Sequence, residues 1–324
     1  MLPVRIRSFS LLSVMLGLLL VGCGSVKSTT DSTESASVST SSASELTANE
    51  VLILGDISKK PTQKIERYQP LANYLANRLE DVGIKKATVK IAPDLETMET
   101  WIESGEVDLY FDSPYPVIVV STKTGATPIL RRWKKGVAEY NSIIFTRNDS
   151  DIETIADLQG KQIALESNIS TSGYMLPLAY LKEAGLILVE QSLDIEESLD
   201  NKSLQVNEVG FIFSGDEDNT VELILTDKVD AGAVDSGTFA ELPDDVKSSM
   251  KVILETEFVA RHIVLASPRL PTEQINAIEA LLLDMDKSPE GETTLESFED
   301  TVKFDDFPVE QSIERLKELY DLTF

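Results

Sequence analysis

The sequence predicts an α/β protein built as two similar lobes, and three observations lead to this prediction. Short β-branched or apolar runs alternate with amphipathic stretches, which is typical of βαβ units on a largely parallel sheet. This alternation occurs in two successive blocks, over residues 50–111 and 162–234. Two extended apolar segments, 140–147 and 251–266, bracket the second block. A chain that crosses between lobes twice in this way forms a hinge that can close on a ligand.

The first block alternates strands with helices. Leu71, Leu75 and Leu79 recur at helical spacing, so they predict one apolar helix face. The predicted elements of this block are strands over 50–56, 87–92 and 107–111, and helices over 68–82 and 95–104.

The second block repeats the pattern, and further helices follow it. Its predicted elements are strands over 162–166, 210–213 and 231–234, and helices over 172–184 and 220–225. Helices predicted over 272–286 and 309–322 are expected to return to the first lobe and pack on it. We therefore predict a first lobe from residues 49–139 plus 239–324, and a second lobe from residues 140–238.

The first 22 residues have the features of a secretory signal peptide. Arg5 and Arg7 precede an apolar run over residues 11–20, which is too short to span a bilayer comfortably. A small residue then stands directly before Cys23, an arrangement that resembles the lipobox of bacterial lipoproteins. The resemblance implies lipidation of Cys23 and an anchored protein in the periplasm or on the outer face of the cytoplasmic membrane. The alternative is an ordinary signal peptide that ends near a cysteine.

Residues 24–45 contain 13 Ser or Thr among 22 residues and almost no apolar side chains. Such a composition cannot form a core, so residues 23–48 are predicted to be a flexible tether. The folded part has no cysteine, because Cys23 is the single cysteine of the chain. No intrachain disulfide is possible, and the lobes must rely on their own cores.

The charge balance excludes nucleic acid as a partner. The chain has 29 basic and 55 acidic residues, a formal net charge of −26, and loss of the leader with its two arginines makes this −28. Nucleic-acid binding needs a basic surface. The same acidity repels anions at long range, so any anion site must be formed by local geometry.

The segment Ser170-Thr171-Ser172-Gly173 precedes an amphipathic helix. Three hydroxyls and unpaired backbone N–H groups at the positive end of a helix dipole can cradle an anion. The alternative is an ordinary Ser/Thr helix cap, which needs one hydroxyl. The residues alone leave both interpretations open.

Several spaced motifs together resemble the phosphonate/phosphite/phosphate-binding periplasmic proteins over roughly residues 50–285. The motifs are Pro70-Leu71-Ala72-Asn73-Tyr74-Leu75, Val107-Asp108, Ser113-Pro114, Tyr140-Asn141-Ser142, Asp149-Ser150, Asp157-Leu158-Gln159-Gly160-Lys161, Ser170-Thr171-Ser172-Gly173-Tyr174 with Pro177, and Val229-Asp230-Ala231-Gly232-Ala233-Val234.

This resemblance implies a type II periplasmic-binding-protein fold with two lobes and a two-segment hinge. It also implies a solute-binding protein that delivers a phosphonate, phosphite or phosphate to an ABC permease. In the family the Ser-Thr-Ser turn grips the phosphorus-bound oxygens. We assign the expected ligand site to Ser170, Thr171, Ser172, Tyr140, Ser142, Ser113, Asp112, Glu217 and Asp235.

Three of these residues are acidic, which departs from the family pattern. Glu217 stands where relatives usually carry a histidine, and Asp112 stands where an uncharged residue is common. Asp235 ends a strand that points to the expected cleft. If these acids face the pocket, a dianion needs a compensating cation or a shared proton. Alternatively, residues 216–218 form a solvated acidic loop.

Other candidates have simpler interpretations. His262, the single histidine, lies in an apolar run and is interpreted as structural. Arg131 and Arg132 are interpreted as a solvated face, although one of them could reach the cleft. One histidine and no spare cysteine argue against a zinc site, and the sequence has neither an Asp-x-Asp-x-Asp-Gly calcium loop nor a Gly-x-Ser-x-Gly nucleophile elbow. The sequence thus predicts no metal, no cofactor, no enzyme activity and a monomer.

Two other functions stay open at this point. The same fold could report ligand occupancy to a membrane sensor. It could also serve as a surface interaction lipoprotein that binds a different ligand or none.

Overall fold

The structure is a computed structural model that describes residues 50–192, 203–306 and 308–324, all within one compact unit of residues 45–324. The predicted signal peptide (1–22), Cys23 and the predicted tether (23–48) lie outside the described residues. Among the residues described, no helix combines the length and apolar character needed to cross a membrane.

The described residues form fourteen strands. They are β1 (Val51–Ile57), β2 (Lys86–Ala92), β3 (Leu109–Asp112), β4 (Thr127–Lys134), β5 (Glu139–Tyr140), β6 (Ser142–Arg147), β7 (Gln162–Leu165), β8 (Ile187–Glu190), β9 (Glu208–Phe213), β10 (Ala231–Asp235), β11 (Met250–Glu255), β12 (Val259–Ala260), β13 (His262–Ala266) and β14 (Thr301–Asp305).

Twelve of these strands form two six-stranded sheets. The order is β14-β4-β13-β3-β1-β2 in the first sheet and β11-β6-β10-β7-β9-β8 in the second. In each sheet the βαβ strands are parallel and the strands next to the chain crossings are antiparallel. The predicted α/β fold of two lobes is confirmed.

The hinge is shorter than the apolar patterns predict. β5 and β12 pair with each other as a two-stranded sheet between the lobes. β6 and β11 belong to the second sheet, and β13 belongs to the first. The chain therefore returns to the first lobe after Glu255, and the expected return at residue 239 is wrong. Apolar strands buried in a sheet have the same composition as a buried crossing, so the pattern does not separate the two.

Ten helices cover the sheets. They are α1 (Pro61–Ala76), α2 (Leu95–Ser104), α3 (Pro114–Thr124), α4 (Leu176–Glu183), α5 (Glu217–Leu225), α6 (Ser236–Glu241), α7 (Asp244–Ser248), α8 (Thr272–Asp284), α9 (Pro289–Ser297) and α10 (Val309–Thr323), all within the described part of the chain.

Local signals explain where several helices begin and end. The Asp94 carboxylate accepts a hydrogen bond from the Thr97 N–H at 2.8 Å and so caps α2. Gly105 ends that helix with a φ of 77°, which favours glycine. α1 begins at Pro61, seven residues before the predicted start. Its first two turns are mostly exposed and carry no apolar face, so periodicity does not detect them.

The apolar core is continuous between the lobes at one side of the hinge. Side chains of α3, α4 and α10 share one buried cluster, including Val117, Leu176 and Leu316. The prediction that the last helix packs on the first lobe is incomplete, because α10 contacts both α3 and α4. α8 packs in the first-lobe core as predicted, through Ile278 and Leu282.

Candidate functional site

The carboxyl ends of β3 and β7 meet between the two sheets. Helix α3 begins just after β3, and a π-helical turn over Thr171–Met175 follows β7 and leads into α4. The Tyr115 N–H donates a hydrogen bond to Thr171 Oγ1 at 2.9 Å, and both groups are buried. In open α/β sheets, ligands bind outside the carboxyl ends of the strands. The contact therefore locates the candidate cleft and brings the starts of two helices together.

The Ser-Thr-Ser turn, residues Ser170 to Ser172, forms the helix start on the second lobe. The Ser170 hydroxyl accepts a hydrogen bond from the Gly173 N–H at 2.9 Å, which is the capping interaction. The same hydroxyl donates to Glu166 Oε2 at 2.6 Å. Two of the three hydroxyls thus have partners within the protein.

Ser172 differs from its two neighbours. It is 5% exposed, and its hydroxyl makes no hydrogen bond to any residue that the structure describes. Successive N–H groups at the start of a helix carry partial positive charge. The turn thus combines one capping hydroxyl, one hydroxyl bonded across the lobes and one available hydroxyl.

Tyr140 and Arg261 come from the two hinge segments and lie beside this turn. Tyr140 is buried, and burial raises the pKa of its hydroxyl to about 12, while a hydrogen bond to Thr171 and the charge of Arg261 act in the opposite direction. The guanidinium of Arg261 lies over the Tyr140 ring, 4.3 Å from its centroid. It is also 3.4 Å from Asp235 Oδ2. A long ion pair of this kind leaves the guanidinium with further donors.

Asp235 has a structural role besides this ion pair. Its Oδ1 accepts a hydrogen bond from the Thr238 N–H at 2.8 Å, so it caps α6. Asp235 is the last residue of β10, and its register partner in β6 is Ser142. Ser142 is fully buried, and its hydroxyl has no partner among the residues described. No hydrogen bond among the described residues joins Ser142 to the Ser-Thr-Ser turn.

Asp112 and Ser113 form the first-lobe side of the site. Asp112 accepts hydrogen bonds from the Tyr110 hydroxyl and the Ser113 N–H, both at 2.6 Å. Burial and the nearby carboxylate of Asp56 raise the pKa of Asp112 to about 6. A carboxylate of the protein, that of Asp112, thus already occupies the start of α3 by accepting the Ser113 N–H.

Glu217 faces the protein rather than open space. It is the first residue of α5, and its carboxylate accepts hydrogen bonds from the Asp235 N–H and the Thr238 hydroxyl, each at 2.6 Å. Burial, with a contribution from Asp235, raises its pKa to about 7. Both carboxylate oxygens of Glu217 accept hydrogen bonds from the protein. This arrangement does not support a direct contact of Glu217 with a ligand, and it does not support a solvated position for Glu217 either.

The structure brings together two residues that sequence reasoning missed. Glu166 follows β7 directly and bonds to the Ser-Thr-Ser turn, and Arg261 contacts Tyr140 and Asp235. Each carried a weak signal, because each is a charged residue at the border of an apolar run. Charge alone does not say which way a side chain points.

The other basic candidates are engaged away from the site. Arg131 pairs with Asp305 and Glu139, so it does not supply a free cation to the cleft. Arg132 is fully buried and donates to Thr301 Oγ1, to the Phe298 carbonyl and to Glu299.

His262 is buried, as the structural interpretation requires. Its pKa is held well below the usual value by burial and by nearby cations, of which Lys134 has the largest effect. Within the described part of the chain, no group of three or more His, Cys, Asp or Glu side chains is arranged to hold a metal ion.

Comparison with known proteins identifies the family. The family model for "ABC transporter, phosphonate, periplasmic substrate-binding protein" matches residues 57–307, which include the whole second sheet, the Ser-Thr-Ser turn and every strand of the first sheet except β1. The chain belongs to this family. The predicted family and the type II periplasmic-binding-protein fold are thereby confirmed, and this phosphonate-binding family consists of transporter substrate-binding proteins.

Individual relatives agree with the family. The phosphate-import protein PhnD of Mycolicibacterium smegmatis is 26% identical over 222 residues, which are 66% of this chain and 65% of that protein. XAC2383 from Xanthomonas citri, in a structure bound to chloride ion, is 25% identical with a TM-score of 0.76, and the match covers 85% of this chain and 97% of that one.

A third relative is a signalling protein, and only part of it is similar to this chain. The tetrathionate sensor histidine kinase TtrS of Salmonella typhimurium is 31% identical over 125 residues, which are 37% of this chain and 20% of that protein. The matches thus span slightly less than two thirds of the mycobacterial protein and one fifth of the kinase.

Proposed function

We propose that this chain captures a small phosphorus oxyanion, namely a phosphonate, phosphite or phosphate, and presents it to an ABC permease. The observation that carries the proposal is the Ser-Thr-Ser turn at a helix start where the two lobes meet. The family match over residues 57–307 and the likeness to a phosphate-import protein support the same class of ligand.

The proposed contacts follow from the free donors of the site. The Ser172 hydroxyl and the first N–H groups of the helix donate to the anion, and the helix dipole favours its charge. Arg261 supplies a cation from the hinge, where it can reach a ligand as the lobes close. Fixed dipoles of this kind bind an anion without a full counter-charge in the site.

Alanine substitution tests the turn. We expect Ser172→Ala to weaken binding of phosphate or methylphosphonate by roughly 10-fold to 150-fold, since a hydrogen bond to a charged ligand contributes about 1.5–3 kcal/mol. The melting temperature should change little, because this hydroxyl has no described partner in the protein. Replacing Ser170, Thr171 and Ser172 together should abolish binding but also lower stability. Isothermal titration calorimetry and thermal unfolding measure the two effects.

Ser248→Ala is the matched control, since it removes an exposed hydroxyl from the same lobe. If the Ser172 variant binds every phosphorus oxyanion as tightly as the wild type, the proposed site is wrong. A wild type that gains no thermal stability from phosphate, phosphite or alkylphosphonates would contradict the function itself.

The proposal includes the location and assembly of the protein. Cys23 is proposed as the lipid attachment site, which would hold a monomer at the outer face of the membrane by its anchor alone. The family's periplasmic location supports an extracytoplasmic position.

A second candidate keeps the fold but changes the role. The 31% identity to part of a sensor histidine kinase favours a lipoprotein that reports ligand occupancy to a membrane sensor. Ligand uptake by cells that lack this chain separates the two roles: loss of uptake supports transport, and unchanged uptake with a lost transcriptional response supports sensing.

A further inference from the structure

Glu166 lies beside the Ser-Thr-Ser turn and is bonded to it. Its Oε2 accepts the hydrogen bond from the Ser170 hydroxyl at 2.6 Å. The side chain of Glu166 passes close to the backbone of Gly173. A Cβ on residue 173 would lie 2.5 Å from Glu166 Cβ and 2.9 Å from Glu166 Oε2, which is too close for any residue other than glycine. The backbone also joins the two residues, since the Glu166 N–H donates to the Gly173 carbonyl at 2.9 Å. Glycine at this position therefore makes room for the acid beside the turn.

This arrangement changes what the turn offers a ligand. The single proton of the Ser170 hydroxyl is donated to Glu166, so this hydroxyl does not donate to an incoming anion at the same time. The other carboxylate oxygen, Oε1, accepts no hydrogen bond from any residue that the structure describes. An ionised carboxylate only accepts hydrogen bonds. The site thus combines donors at Ser172, in the turn, with an acceptor at Glu166, beside it.

The groups around Glu166 do not neutralise it. Asp235 and Asp216 add negative charge, and Arg261 supplies one positive charge that it shares with Asp235. Desolvation is the largest influence, and it raises the pKa of Glu166 above the usual value. A ligand oxygen without a proton would be repelled at this carboxylate, whereas an O–H group would donate to it.

We propose that Glu166 makes the site select oxyanions that carry a P–O–H group over sulfur oxyanions that carry no proton. The inference rests on the proposed binding of a phosphorus oxyanion at this turn. Near neutral pH a phosphonate monoanion has one hydroxyl, whereas a sulfonate of the same shape is fully ionised. The carboxylate accepts a hydrogen bond from the ligand hydroxyl in the first case and faces an anion without a donor in the second.

A matched pair of ligands tests the selection. We expect the wild type to bind methylphosphonate roughly 100-fold or more tighter than methanesulfonate, because buried polar groups left unpaired reject an analogue that lacks the donor. Glu166→Gln replaces the carboxylate by an amide that can donate. This variant should reduce the ratio below about 10-fold, mainly by gaining affinity for methanesulfonate. Glu222→Gln, an exposed carboxylate of the same lobe, is the control and should keep the wild-type ratio.

A pH series on the wild type gives a test that needs no variant. Burial raises the pKa of Glu166, and the protonated acid becomes a donor, so methanesulfonate affinity should rise as the pH is lowered, and Glu166→Gln should remove this rise. The other charged groups facing Glu166 are Asp235, Asp216, Glu217 and Arg261, and they are unchanged in the variant. The difference between the two profiles therefore reports Glu166.

The possible results separate this inference from the proposed function. If methylphosphonate and phosphate do not bind the wild type, the proposed function fails. If methylphosphonate binds but the wild type does not discriminate against methanesulfonate, the role of Glu166 is overturned. The role is equally overturned if Glu166→Gln folds and keeps the full selectivity and the full pH response.

Discussion

Glu217 shows how one side chain can hold the edge of a lobe together. From the start of α5 it accepts hydrogen bonds from the backbone of Asp235 and the hydroxyl of Thr238, at the end of β10 and in α6. Its burial and the charge of Asp235 raise its pKa from 4.5 to about 7. Folding therefore favours the neutral form of this acid more than the unfolded chain does.

This shift predicts how stability depends on pH. A raised folded-state pKa gives a contribution that is present below about 4.5 and is lost as pH rises through about 7. The free energy of unfolding should thus fall between about pH 5 and about pH 8, with a share from Glu217 on the order of 2–3 kcal/mol. Glu217→Gln should flatten this slope in urea titrations at several pH values.

Asp218→Asn is the control for that experiment, because Asp218 is an exposed acid one residue away. Asp108 and Asp112, whose pKa values are also raised to about 6, stay in both proteins and cancel in the comparison. An unchanged slope in Glu217→Gln would mean that the acid is ionised in the folded state throughout this range.

Helix α10 connects the lobes through its apolar face. Leu316 and Leu319 are nearly fully buried in the cluster shared with α3 and α4. Arg315 pairs with Glu257 of the hinge at 2.7 Å. The ring of Phe324, just after the helix, stacks on Tyr115 of α3 with centroids 5.2 Å apart. The helix therefore stabilises the arrangement in which the two sides of the candidate site meet.

We expect Leu316→Ala to destabilise the protein by about 2–5 kcal/mol, since a large buried side chain leaves a cavity. Lys317→Ala, an exposed change on the same helix, should stay within about 0.5 kcal/mol of the wild type. Chemical denaturation measures both variants. Equal stability of the two would contradict the packing of α10 against α3 and α4.

At the scale of the whole molecule, the N-terminal segment and the lobes are predicted to act independently. We expect Cys23→Ser to release the protein from membranes while its affinity for phosphate or methylphosphonate stays unchanged. The reason is that the predicted lipidation site and tether precede the matched residues 57–307. Membrane fractionation and calorimetry on the released protein check both parts. A wild type found in the soluble fraction would show that the lipobox interpretation is wrong.

The sequence by itself predicted the two-lobed α/β fold, the family and the Ser-Thr-Ser turn. Alternating strands and amphipathic helices depend on local periodicity, and the turn depends on residues that are neighbours in the chain. Helix α2 was predicted with the bounds that the structure has, because an apolar face, an aspartate cap and a final glycine all agree there.

The tertiary structure decided which side chains meet. Arg261 contacts Tyr140 and Asp235 from the second hinge segment. The Glu217 carboxylate accepts a hydrogen bond from the backbone N–H of Asp235, eighteen residues further along the chain. It also assigned β11 to the second sheet and α10 to both lobes. Local sequence patterns carry the periodicity of each element but not its partners across the chain. For this reason the sequence pointed to Asp112, Glu217 and Asp235, whereas the place of Glu166 and the hydrogen bonds and charge partners of these acids were decided by the fold.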